Sequence, residues 1–126
     1  MVHAFHLGTI IRTMFASFFT FDAGFGEGAL SVFSDADLAL GEIAQSAYPE
    51  GPWSLESHAV QPTARLLQLY DDQLKTAPRS ELMAAHQRAQ RNFKASVRDR
   101  LSIGELMQRS RRRARDSSQM DTLSHR

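Results

Sequence analysis

Residues 80–115 read SELMAAHQRAQRNFKASVRDRLSIGELMQRSRRRAR, and the architecture of the chain follows from how the apolar and basic positions recur in them. Ser80 is an N-cap candidate, Glu81 puts a carboxylate in the electropositive first turn, and Pro78 stands outside the helix. No Gly or Pro interrupts the run from Ser80 to Leu101, and Ala, Leu, Met, Gln and Arg, all good helix formers, dominate it. Leu82, His86, Ala89, Phe93, Val97 and Leu101 recur at spacings of three and four, which at about 100° per residue makes one apolar stripe. Arg88, Arg91, Lys94 and Arg98 fall on another side. The reading is an amphipathic helix with one basic face.

Ser102-Ile103-Gly104-Glu105 has the spacing of a capping box, so a kink or short break is expected near 102–104. A second segment then runs through Leu106 and Met107 into Arg109, Arg111, Arg112, Arg113 and Arg115. Past Asp116 the residues are small and polar, and fraying is expected.

The rest of the chain supplies the helices that fold against this one. Its 126 residues suffice for one domain with a real core, and 42% hydrophobic content marks a globular chain. There is no cysteine, which excludes disulfides, thiol nucleophiles and cysteine-ligated zinc. The net charge of +1 hides a gradient. Residues 1–62 hold one basic side chain, Arg12, against seven acidic ones; residues 63–126 hold fourteen against seven, so the halves stand at −6 and +7. Such asymmetry points to nucleic acid, to a membrane surface, or to attraction between the halves. Arginine outnumbers lysine thirteen to two. Its planar fork suits phosphate and carboxylate, although a GC-rich genome produces the same bias.

Residues 4–21 are the most apolar segment, with Leu7, Ile10, Ile11, Met14, Phe15, Phe18 and Phe19 on one broad helical face. The apolar run falls short of the roughly 20 residues that span a bilayer, and Arg12 interrupts it. The start is not basic, as a secretory signal requires, so a cytoplasmic protein is expected. Few cations on the polar face also argue against a membrane-surface role. Seven of the eight phenylalanines lie in residues 1–33. A small bundle has limited interior, so Phe15, Phe18 and Phe19 are expected to be covered by a second copy or by another protein.

Between the helices the breakers are clear. Asp22 to Gly28 is a glycine-rich turn; Gly24, Gly26 and Gly28 lack the preceding strand of a phosphate loop, and Asp22 and Glu27 would repel phosphate. Ser34 is expected to cap a short helix with Leu38, Ile43, Ala44 and Ala47 inward. Tyr48 to Pro52 is a loop, with Trp53 and Leu55 packed over the core. Pro62 is expected to open a helix in which Leu66, Leu67, Tyr70 and Leu74 align. The fold expected is all-α: a small bundle of about four helices with a long basic C-terminal helix. Residues 1–108 make the helical domain, and 109–126 an Arg-rich, partly disordered extension.

No catalytic, metal or cofactor motif emerges. His3 and His6 are too few donors for a metal site, and His86 reads as a core or interface histidine with a hydrogen-bond partner. Asp35/Asp37 suit a helix N-terminus, and Asp71/Asp72 a solvated face. Neither an enzyme, a cofactor nor a small-molecule substrate is indicated. Two binding functions remain. In the first, a non-enzymatic regulatory protein self-associates or binds a protein partner through Phe15, Phe18, Phe19, Leu82, His86, Phe93 and Val97. In the second, Arg88, Arg91, Arg98, Arg109, Arg111, Arg112, Arg113 and Arg115 track nucleic-acid phosphates. Interleaved aromatics for base stacking and a helix-turn-helix signature are both missing.

Overall fold

The structure is a computed structural model that describes residues 4–46, 57–96 and 98–124. It holds five helices: α1 (Ala4–Asp22), α2 (Ser31–Ser46), α3 (Ser57–Thr76), α4 (Arg79–Lys94) and α5 (Ile103–Ser124). The described residues contain no strand. The described residues form a small all-helical bundle of five helices where about four are expected, and its centre is α1. That helix packs against each of the other four, while α2 also meets α3 and α5.

Seven consecutive residues of α1, Met14 to Thr20, are buried. A helix buried on every side has neighbours all round, and this is why the interior accommodates the phenylalanines. The ring of Phe18 lies 5.3 Å from that of Phe33 and 5.9 Å from that of Phe19, both edge-on. Phe15 meets Phe93 at 5.1 Å, also edge-on. Phe15, Phe18 and Phe19 are therefore core residues of this chain, not an apolar face waiting to be covered.

Surrounding α1 on all sides also brings polar groups inward; Ser17, Thr20 and Gln73 are paired, whereas the buried Thr63 hydroxyl has no partner among the described residues. Gln73 of α3 is fully buried; its Oε1 accepts from Ser17 Oγ at 2.6 Å, and its Nε2 donates to the carbonyls of Ser17 and Phe25, both at 3.1 Å. Thr20 Oγ1 donates to Ala16 O at 2.8 Å. Placing Gln73 inside rotates α3 away from the expected stripe. Leu66 and Leu69 are buried, whereas Leu67 and Leu74 stay exposed. Pro62 lies inside α3, which starts at Ser57. In α2 the helix begins at Ser31, Ser34 Oγ bonds back to Ser31 O, and Leu38 faces out while Phe33, Ala36, Ala39, Leu40 and Ile43 face in. The packed plug expected at Trp53 and Leu55 lies outside the described residues.

The glycine-rich turn is tightly built. Gly24 has φ +103° and follows the end of α1, with its N–H bonded to Phe21 O and that of Phe25 to Thr20 O, the paired bonds of a Schellman ending. Gly26, at φ +102°, presses against Gln73: a Cβ there would stand 2.9 Å from Gln73 Cγ.

The single long helix expected from Ser80 into the arginine run is divided, and earlier than the expected kink. Helix α4 starts at Arg79 without a side-chain cap; Glu81 and Leu82 N–H groups bond to Pro78 O. It stops at Lys94, and residues 95–102 turn the chain before α5 begins. Side chains hold this turn. Asn92 clamps Leu101 from both sides, Nδ2 donating to its carbonyl at 2.9 Å and Oδ1 accepting its N–H at 2.8 Å. Arg100 Nη2 donates to the carbonyls of Phe93 and Ala95 at the end of α4. The capping box then forms as the spacing implied: Glu105 N–H reaches Ser102 Oγ at 3.2 Å, and Glu105 Oε1 accepts from Ser102 N–H and Oγ. Helix α5 carries the arginine run and extends to Ser124. No helix among the described residues is long and apolar enough to cross a membrane.

Candidate functional site: an arginine cleft between three helices

The turn at 95–102 changes what the arginines do. Those of α4 and α5 do not line up along one rod. Arg88 and Arg91 from α4 meet Arg109 and Arg113 from α5 across a cleft of about 260 Å³, closed by Phe19 and Asp22 at the end of α1. Residues 109 and 113 are one helical turn apart and residues 88 and 91 nearly so, so each pair shares a face.

Asp22 anchors the cleft. Its side chain is only 8% exposed, and Oδ2 accepts from Arg113 Nη2 at 2.6 Å with Arg88 Nη2 3.9 Å away. A buried carboxylate is tolerated only when paired in this way. The Arg88 guanidinium also lies over the Phe19 ring, 4.4 Å from its centroid, which fixes its plane. One carboxylate faces four guanidiniums, a formal excess of three positive charges. Arg91 and Arg109 have no acidic partner among the described residues. The cleft offers convergent N–H donors to an anion and no unpaired base.

The other arginines of the expected set do not line the cleft. Arg98 is exposed in the turn, and Arg111, Arg112 and Arg115 are exposed on α5. Asp22 was noted in the sequence only as a residue that would repel phosphate; its pairing with Arg113, 91 positions away, has no local signal. Phe19 as a platform for Arg88 is equally silent.

The residues of the expected protein interface scatter. Phe15, Phe18 and Phe19 are interior, Leu82 and Phe93 half-buried, and Val97 lies outside the described residues. His86 is exposed but held. Its Nδ1 must donate to Leu82 O at 2.8 Å, since a carbonyl only accepts, and neutral Nε2 then accepts from the Tyr70 hydroxyl at 2.9 Å. Partial burial raises the Tyr70 phenol above its ordinary pKa. This pair ties α3 to α4.

No group of three or more potential metal ligands occurs among the described residues. No protein-family model, curated protein or solved structure matches this chain.

Proposed function

We propose that this chain is a non-enzymatic binding protein that engages the phosphate backbone of a nucleic acid through the arginine face of α4 and α5. The supporting observation is the convergence of Arg88, Arg91, Arg109 and Arg113 on one cleft with a single carboxylate between them. Guanidinium forks suit phosphate oxygens, and Arg98, Arg111, Arg112 and Arg115 add four exposed cations outside the cleft lining. Contacts of this kind are independent of base sequence, so affinity is expected to depend strongly on salt. The test is a titration against a labelled generic duplex and a labelled single strand at several salt concentrations. Each neutralised duplex phosphate contributes about 0.9 to the slope of log affinity against log salt. The double variant R91A/R109A, which alters neither the Asp22 pairing nor the core, should lower that slope by roughly two. An unchanged slope would remove the cleft from the proposal.

A second reading, a protein partner or a second copy, is favoured by Val60, Leu67 and Leu74. These exposed apolar residues stand seven apart along α3. It takes the lead if no nucleic acid binds at low salt while the mass in solution rises with concentration.

A further inference from the structure

The cleft is not the only concavity that α4 lines. On its other edge a groove of about 620 Å³ runs between α1 and α4, bordered by Thr9, Arg12 and Thr13 on one side and His86, Gln90 and Lys94 on the other. Its floor is apolar: Ala16 and Ala89, both buried, and the half-buried ring of Phe93. Both floor positions on facing helices, 16 and 89, are alanine, a side chain of a single methyl group. Its volume is that of a small-molecule site, within the usual range of roughly 300–1,000 Å³.

The charges are what specify the ligand. Arg12 is the sole basic residue in positions 1–62, and it stands on the same groove as Lys94. Neither has an acidic partner among the described residues. Two cations that have no acidic partner among the described residues border an apolar floor. His86, on the same border, already uses both ring nitrogens in hydrogen bonds to Leu82 and Tyr70, which leaves the head-group contacts to Arg12 and Lys94.

We infer that this groove binds an anionic amphiphile, a small molecule with an apolar body and a single carboxylate head. The body lies on Ala16, Ala89 and Phe93, and the carboxylate is held by Arg12 and Lys94. This site is separate from the arginine cleft and does not depend on nucleic-acid binding. The apolar floor excludes a highly charged ligand, and the cations discriminate against a neutral one.

The probes are decanoate and decanol, which share a chain length and differ in the charged head, titrated below micelle formation by calorimetry. Binding is followed in parallel by the NMR shifts of the Ala16 and Ala89 methyl groups. Decanoate should saturate with one site per chain, shift both methyls, and bind at least about tenfold tighter than decanol. The variant R12Q/K94Q changes only exposed side chains and should erase that preference while R91A/R109A leaves it intact. The inference is overturned if decanoate and decanol bind alike, if neither moves the Ala16 and Ala89 signals, or if R12Q/K94Q binds decanoate as the parent does.

Discussion

Gln73 joins two parts of the fold, because its amide makes three hydrogen bonds at once. It joins the hydroxyl and carbonyl of Ser17 on α1, both buried, to the part-buried carbonyl of Phe25 in the turn. Replacement by leucine keeps the volume but removes all three bonds, leaving the buried Ser17 hydroxyl and the Phe25 carbonyl without this partner. Gln73→Leu is expected to destabilise the protein by about 1–3 kcal/mol in chemical denaturation. Gly26 is bound to the same site from the other side. Gly26→Ala places a Cβ on a positive φ and against Gln73 Cγ, and a loss of about 1–3 kcal/mol is expected. A glutamine between Asp72 and Leu74 reads in sequence as surface. Its interior position follows from the turn at Gly24 to Gly26, whose carbonyl needs a donor from a helix 48 residues away.

At the level of elements, the decisive feature is the turn between α4 and α5. Helix-forming residues continue past Lys94 without Gly or Pro, so propensity alone extends the helix. Tertiary hydrogen bonds override it. Asn92 gives both halves of its amide to Leu101, and Arg100 satisfies carbonyls that the helix leaves open. Asn92→Ala removes both bonds to Leu101. It should cost about 1–2 kcal/mol and raise amide exchange in residues 95–102 before the rest of the molecule opens. Should exchange there stay as slow as in α1, the clamp is not what divides the helices. The capping box of Ser102 and Glu105, in contrast, was legible as a spacing of three, because capping is a local interaction between near neighbours.

On the scale of the whole molecule, Asp22 connects architecture to charge. It lies at the end of the central helix and holds Arg113 of α5 and, more loosely, Arg88 of α4. Asp22→Asn should therefore move two properties in opposite directions. Stability falls by about 1–2 kcal/mol, since half-exposed arginines pair only moderately with a buried carboxylate. Affinity for nucleic acid rises, because the excess positive charge of the cleft grows from three to four and Arg113 is freed for phosphate. A parallel fall in both would mean that Asp22 organises the cleft rather than competing with the ligand.

Composition and periodicity by themselves determined the helical class, the apolar first helix, the breakers around residues 24–28 and 77–78, and the basic character of the second half. All of these rest on interactions within a few residues of one another. Tertiary structure alone decided that α1 is the centre, that Phe15, Phe18 and Phe19 are core, that Gln73 displaces Leu67 and Leu74 from the interior, and that two arginine pairs face one another across Asp22. Each of these depends on contacts between distant segments, whose geometry is set by how the helices pack and where the chain turns. The arginines were visible as a run of charge, but a cleft exists only once two helices are folded together.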